Sequence, residues 1–147
     1  MNDPQTPTRH RRADSVTVDV AGGTEAALIA SALRAVFRHT DDLPEDGAEA
    51  ETDGEIIGFR ATGKQLADLL VNAIHAALDE ADAQRVTVLG VDVAGVMPID
   101  EGLRCWGYLA TSARSEGRPT CTIEGEPAIV RRDDRFSAEF TLRIECP

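Results

Sequence analysis

The sequence is short of aromatic residues and of positive charge, and each shortage excludes a class of protein. Aromatic residues make up 4% of the 147 residues, which is too few for a platform on which nucleic-acid bases stack. There are 15 lysines and arginines against 26 aspartates and glutamates, which gives a net charge of −11. Because such a chain repels phosphate, we expect no direct binding to nucleic acid.

Long apolar runs and paired cysteines are also missing. No apolar run approaches the roughly 20 residues needed to span a bilayer, and the first residues contain no apolar segment of a secretory signal. The three cysteines, Cys105, Cys121 and Cys146, form no CxxC pair, so neither a disulfide framework nor a zinc site is expected. The sequence therefore predicts a cytoplasmic protein with reduced thiols and no membrane association.

The charges are unevenly distributed along the chain. Residues 41–55 contain eight aspartates or glutamates and no lysine or arginine, and a proline and two glycines interrupt them. This pattern predicts an acidic loop. Residues 1–14 carry prolines and three arginines with nothing to bury, which predicts a flexible basic arm. Since 42% of the residues are hydrophobic, residues 15–147 suffice for a single domain with a buried core.

Two strand–glycine–helix units follow one another in the first half. Residues 16–20 alternate as in a half-buried strand, and the spacing of apolar residues predicts a helix over 24–39. The same order recurs over 56–61 and 64–80 at an offset of 41 residues, with five identities over positions 22–37. The offset indicates either an internal duplication or the chance similarity of two alanine-rich helices.

The second half is rich in β-forming residues. Alternating apolar residues and turn signals predict antiparallel strands there. The expected strands are 86–93, 103–111, 120–123, 128–131 and 136–144. The chain as a whole therefore predicts an α+β fold, in which two strand–Gly–helix units precede an antiparallel β-sheet half.

Few side chains are placed for catalysis. No serine lies in a G-x-S-x-G setting, and no cysteine lies in a catalytic pattern. Gly22-Gly23-Thr24 favours a turn with a helix N-cap over a phosphate site. Trp106 and Tyr108 share one strand face, where they either cover the sheet or line a ligand site. Carboxylates from different strands remain as candidate cation ligands, since hard cations need only converging oxygens. The candidates are Asp14, Asp19, Glu124, Glu126 and Glu145.

The order of elements resembles the archease family, small acidic α+β proteins that act as cofactors of RNA-splicing ligases. The resemblance covers residues 10–146, including the acidic loop and the second unit GFRATGKQLADLLVNAIHAAL. Archeases begin with a His-Thr-Ala-Asp segment, and this chain has His10-Arg11-Arg12-Ala13-Asp14, which is one residue longer. Asp14 therefore matches the family's N-terminal metal-binding aspartate.

Two positions depart from the family pattern. The family has an aromatic-His pair in a late strand, where this chain has Ile123-Glu124, and a metal-binding aspartate in the last strand, where this chain has Arg143. If the ligands have shifted to nearby glutamates, the resemblance implies a site for a divalent cation (Mg, Mn or Ca) on Asp14, Glu145 and Glu124.

Three hypotheses about function follow. The leading one is an archease-like accessory protein, not an enzyme by itself, that assists an RNA-splicing ligase through an acidic divalent-metal site. Its partner is then a protein, which suits a net charge that disfavours RNA. The second is a metal-free binding or structural module with the same fold, which Arg143 favours. The third, a small-molecule enzyme, rests on Trp106 and Tyr108 alone.

Overall fold

The computed structural model describes residues 12–41, 43, 55–113 and 118–146, the side chains of residues 12, 13 and 146 excepted. Over these residues, six strands and two helices follow one another in the predicted order, which confirms the α+β class. The elements are β1 (Arg12–Gly22), α1 (Glu25–Asp41), β2 (Ile56–Gly63), α2 (Leu66–Gln84), β3 (Val86–Ile99), β4 (Gly102–Ala113), β5 (Thr120–Arg132) and β6 (Arg135–Cys146).

The strands form two antiparallel sheets with the helices between them. The first sheet has the order β1-β6-β5, and the second sheet has the order β2-β4-β3. Helix α1 contacts β1 and β6 of the first sheet and β3 of the second, while α2 contacts β2, β3 and β4 of the second sheet and β5 of the first. Because each helix packs against both sheets, the fold has three layers, β/α/β.

The core lies around the two helices. Leu28, Leu33 and Phe37 of α1 and Leu69 and Ile74 of α2 have fully buried side chains. A helix between two sheets has to be apolar on more than one side. Each fully buried leucine stabilises the fold by roughly 2 kcal/mol relative to an exposed leucine. The outward faces of the sheets are therefore the places where polar and functional side chains are expected.

Two glycines mark equivalent points in the two strand–helix units. Gly22 ends β1 and Gly63 ends β2, 41 residues later. A β-carbon at Gly22 would collide with the backbone nitrogen of Leu28, and one at Gly63 would collide with that of Leu69. Both turns therefore need a residue without a side chain, because the end of the strand and the first turn of the helix come into direct contact.

A pair of hydrogen bonds repeats at the same offset. The hydroxyl of Ser31 on α1 donates to the carbonyl of Ala21 at 2.9 Å, and the amide of Asn72 on α2 donates to the carbonyl of Thr62 at 2.7 Å. Donor and acceptor are each displaced by 41 residues, although the residue types differ. The packing thus supports an internal duplication over a chance similarity of alanine-rich helices.

The two hairpins of the second half are also equivalent. β3 and β4 are joined through residues 100–101, and β5 and β6 through residues 133–134, at an offset of 33. Leu103 and Phe136, again 33 apart, pair with the glycines that end β2 and β1 respectively. Each sheet is therefore built from one strand of the first half and one hairpin of the second half, joined in the same register.

Several boundaries differ from those predicted. β3 runs to Ile99 instead of residue 93, and α2 runs to Gln84 instead of residue 80; α1 and β1 are longer as well. Helix α1 starts as expected, with the Thr24 hydroxyl accepting the N–H of Ala27 at 3.0 Å, but it continues past residue 39 to Asp41. Asp41 therefore belongs to the helix and not to the acidic loop. β1 starts at Arg12, inside the predicted arm. Residues 1–11 of that arm, and 42 and 44–54 of the loop, lie outside the described residues.

β5 is a single strand, whereas two short strands were predicted over its length. Its register with β6 shifts between Glu124 and Ala128, and Gly125 has a φ of 75°. The irregularity follows from this left-handed residue, which glycine tolerates. Neither helix in the part of the chain that the structure describes is both long and apolar enough to cross a bilayer.

Candidate functional site

Two of the three predicted cation ligands lie together on the outward face of the first sheet. On β6, Arg143 and Glu145 are two residues apart and share this face, because the buried Leu142 points to the opposite one. Glu124 on β5 pairs with Thr141 of β6 and so projects to the same side.

Arg143 joins these carboxylates. Its Nε donates to Oε2 of Glu145 at 3.1 Å, and its Nη1 lies 3.6 Å from Oε2 of Glu124. Ser15 on β1 completes the group, because its hydroxyl donates to Oε1 of Glu124 at 3.2 Å. We call these four residues (Ser15, Glu124, Arg143 and Glu145) the Arg143 cluster.

Asp14 lies on the other face of the same sheet. It pairs with Ile144 of β6. It is four residues before Val18 on β1 and so lies on the same face as Val18, which is buried against the helices. Since alternate residues of a strand point to opposite faces, Asp14 points away from the Arg143 cluster. The structure therefore brings Glu124 and Glu145 together and does not bring Asp14 to them.

The electrostatics of the cluster are those of a cation held by two carboxylates. The hydrogen bond and the charge of Glu145, followed by the charge of Glu124, raise the pKa of Arg143 above its ordinary value. Within the described residues, no group of three or more His, Cys, Asp or Glu side chains converges in a way that could hold a metal ion. The guanidinium occupies the space between the two glutamates, so a divalent cation could bind both carboxylates only after Arg143 had moved away.

A buried ion pair that sequence reasoning missed lies at another end of the molecule. Arg118, just before β5, donates from Nε to Oδ1 of Asp41 at 2.8 Å and from Nη2 to Oδ2 at 2.6 Å. The side chains of Arg118 and Asp41 are 3% and 0% exposed. The same guanidinium also pairs with the exposed Asp82 at the end of α2. No local sequence pattern predicts this ion pair, because 77 residues separate Arg118 from Asp41.

The remaining polar atoms around Asp41 are also matched. Thr40 donates its hydroxyl to Oδ1 at 2.6 Å, and the backbone N–H of Val88 donates to Oδ2 at 2.8 Å. Burial by itself raises the pKa of Asp41, but the hydrogen bonds from Arg118, Thr40 and Val88 outweigh it and leave that pKa below the ordinary value. This bidentate pair ties the ends of α1 and α2 to β3, a structural role with no free atoms left for a ligand among those described.

The aromatic face of β4 has the predicted alternation. Cys105 and Leu109 are fully buried, while Tyr108 is 47% exposed on the opposite face. Trp106 lies directly over Gly95 of β3, where a β-carbon would collide with the indole ring. Trp106 thus covers part of the outward face of the second sheet. Trp106 and Tyr108 also line a groove of about 540 Å³ beside α2, so this face both covers the sheet and borders a cavity.

Compared with known proteins, the sequence matches no family model and no curated protein. The fold defines the class, an α+β protein in which two helices lie between two three-stranded antiparallel sheets. The resemblance to archeases stays a prediction that rests on the order of the elements and on the residues quoted for it.

Proposed function

We propose that this chain is an archease-like accessory protein, not an enzyme by itself, that assists an RNA-splicing ligase by binding to it. The observation that carries the proposal is the Arg143 cluster, which collects charged groups of β5 and β6 and a hydroxyl of β1 on one outward face. These are the first strand and the last two strands, where the family resemblance implies the working site.

The cluster has the properties of a surface that exchanges partners. The side chains of Glu124, Arg143 and Glu145 are 41%, 48% and 24% exposed. Ion pairs exposed to this degree contribute little to folding, because water screens them. A basic side chain of a ligase can therefore replace Arg143 at one of the carboxylates at small cost, and the acidic chain steers such a partner toward itself.

The proposal is tested with the RNA-splicing ligase of the same source. We expect the wild-type chain to bind the ligase and to raise its guanylylation and turnover. Glu124→Gln with Glu145→Gln should lower both effects at least tenfold, because two charged contacts are lost. Glu139→Gln is the matched control, since Glu139 lies on the same outward face of β6 but outside the cluster. Unchanged ligase turnover and no measurable binding would overturn the proposal.

A divalent cation at the same place is the second candidate. The observation in its favour is that carboxylate oxygens of Glu124 and Glu145 already converge on one cationic group. Magnesium, manganese and calcium are the ions to test, because they prefer oxygen ligands. This version requires the guanidinium of Arg143 to leave the two carboxylates.

Calorimetry with manganese, magnesium and calcium separates the two versions. Binding to the wild type that Glu124→Gln abolishes would establish the cation. Binding that appears only in Arg143→Gln would show that the guanidinium replaces the cation in the natural chain, as the metal-free version holds. No binding by either chain would rule the cation out. Asp14→Asn, on the opposite face, should leave the result unchanged.

A further inference from the structure

Each sheet has two edge strands in the described part of the chain, β1 and β5 in the first sheet and β2 and β3 in the second. A groove flanks β1 in the first sheet, and another flanks β2 in the second. The groove between β1 and α1 has a volume of about 390 Å³ and contains Arg38 and His39, and we call it the basic groove. The groove between β2 and α2 has a volume of about 540 Å³ and contains Asp79 and Glu80, and we call it the acidic groove.

The two grooves are equivalent under the 41-residue duplication. Ala35 lines the basic groove and Ala76 lines the acidic one at the corresponding position. At two further equivalent positions the charge is reversed, namely Asp19 and Arg60 on the strands and Arg38 and Asp79 on the helices. At a third position the acidic groove has Glu80 where the basic groove has His39.

On the helices, the reversal makes the charges of the two edges complementary to each other and not to themselves. If β1 of one copy met β1 of another, the basic helix residues would face one another, and two β2 edges would bring carboxylates together. Like charges in contact are unfavourable, whereas β1 against β2 places opposite charges together on both the strand and the helix. An edge strand also presents backbone N–H and C=O groups that a second strand can satisfy.

We propose that the occupant of each groove is the opposite edge of a second copy of this chain. β1 of one copy lies beside β2 of the next, so that the first sheet of one copy continues into the second sheet of the other. Helix α1 then lies beside α2 of the second copy, with Arg38 opposite the Asp79–Glu80 pair of that copy. Because each copy has one edge of each kind, the contact is heterologous and joins copies head to tail.

Sedimentation velocity over a hundredfold range of protein concentration tests this contact. We expect the wild-type chain to associate at about 50 mM salt and to dissociate at about 500 mM, since the charges are exposed and screened by salt. The first variant, Arg38→Asp with His39→Glu, gives both grooves the acidic residues. The second, Asp79→Arg with Glu80→His, gives both grooves the basic ones. Each variant alone should associate at least tenfold more weakly than the wild type.

A mixture of the two variants is the decisive measurement. Each acidic groove of the first variant then meets a basic groove of the second, so the mixture should regain association to within a few-fold of the wild type. Glu101→Arg with Asp134→Arg is the matched control, because these exposed residues lie in the hairpin turns and line neither groove. Circular dichroism checks that all variants keep the fold.

Three outcomes would overturn the proposal. The first is a wild-type chain that stays monomeric at every concentration and salt. The second is a single variant that associates as well as the wild type. The third is a mixture that stays dissociated although both variants are folded. None of these results bears on the ligase, because the Arg143 cluster belongs to neither groove.

Discussion

The buried pair of Arg118 and Asp41 allows a prediction of stability with a magnitude. Arg118→Met removes the guanidinium from the carboxylate of Asp41, whose side chain is 0% exposed. The hydrogen bonds from the Thr40 hydroxyl and the Val88 amide remain, but neither donor carries a positive charge. Breaking a buried ion pair from one side costs about 3–5 kcal/mol, because a charge then remains in the interior without its partner. A domain of this size has roughly 5–15 kcal/mol of total stability, so the loss is a large share of it.

The double variant separates the pair from its surroundings. Asp41→Asn removes the other charge and keeps an oxygen that accepts the N–H of Val88. Because no buried charge is then left unpaired, Arg118→Met with Asp41→Asn should lose about 1–3 kcal/mol less than the sum of the two single variants. Urea denaturation at neutral pH, followed by circular dichroism, measures all three free energies of unfolding.

Arg143→Met is the matched control for this cycle. It also removes an arginine that pairs with two carboxylates, but in a group open to solvent, so we expect no change beyond the error of the measurement. The reasoning would be refuted if Arg118→Met lost less than about 1 kcal/mol, or if the two single losses added without coupling.

Three further predictions follow from the structure. Since hydrogen bonds hold the pKa of Asp41 below its ordinary value, its stabilisation is fully present above about pH 5 and is lost as pH falls below about 3.9. In a chain carrying Asp41→Asn, the free energy of unfolding, measured by urea denaturation, should therefore fall less steeply as the pH is lowered below about 5. A fall as steep as that of the wild type would contradict this. Gly22→Ala and Gly63→Ala should each lower the free energy of unfolding by about 2–4 kcal/mol, measured by thermal denaturation, because the new β-carbon collides with the helix backbone. Gly23→Ala should leave it unchanged, because a β-carbon there meets no atom within 4 Å. Equal losses in all three variants would refute the close contact of strand and helix. Burial raises the pKa of Cys121 to about 11, so at pH 8 this thiol should react with Ellman's reagent about a hundredfold more slowly in the native chain than in urea, and equal rates would disprove its burial.

Local periodicity was enough to predict the class of fold and every element except β5. The alternation around Val18 and the apolar stripe of α2 each depend on neighbours a few residues away, so the chain alone carries the information. The merging of two predicted strands into β5 was not predictable in this way, because β5 is continuous only through its pairing with β6 on either side of Gly125.

The candidate site shows where such reasoning stops. In the sequence, Asp14 was the first candidate ligand because it matches the aspartate of the archease pattern, and Glu145 and Glu124 were the next. Ser15 pairs with Arg143 and lies on the same face of the sheet. Asp14 precedes it on β1 and therefore points to the opposite face, because consecutive side chains of a strand alternate. The position of Arg143 between the two glutamates likewise depends on the register of β5 with β6, which residue spacing along the chain does not contain.

The duplication illustrates the opposite case, in which the packing identifies what residue identities left open. Ser31 and Asn72 differ in sequence, yet both donate to the carbonyl one residue before the glycine that ends the strand. The inner surfaces of the two units are thus held to one geometry by the close contact of strand and helix. Within the described residues, no such contact constrains the charged side chains at the groove edges, where Arg38 and Asp79 lie at equivalent positions and carry opposite charges. A repeat that keeps its interior and reverses the charge at its edges suits head-to-tail pairing, since the repeat supplies matching strand geometry and the reversal supplies matching charge.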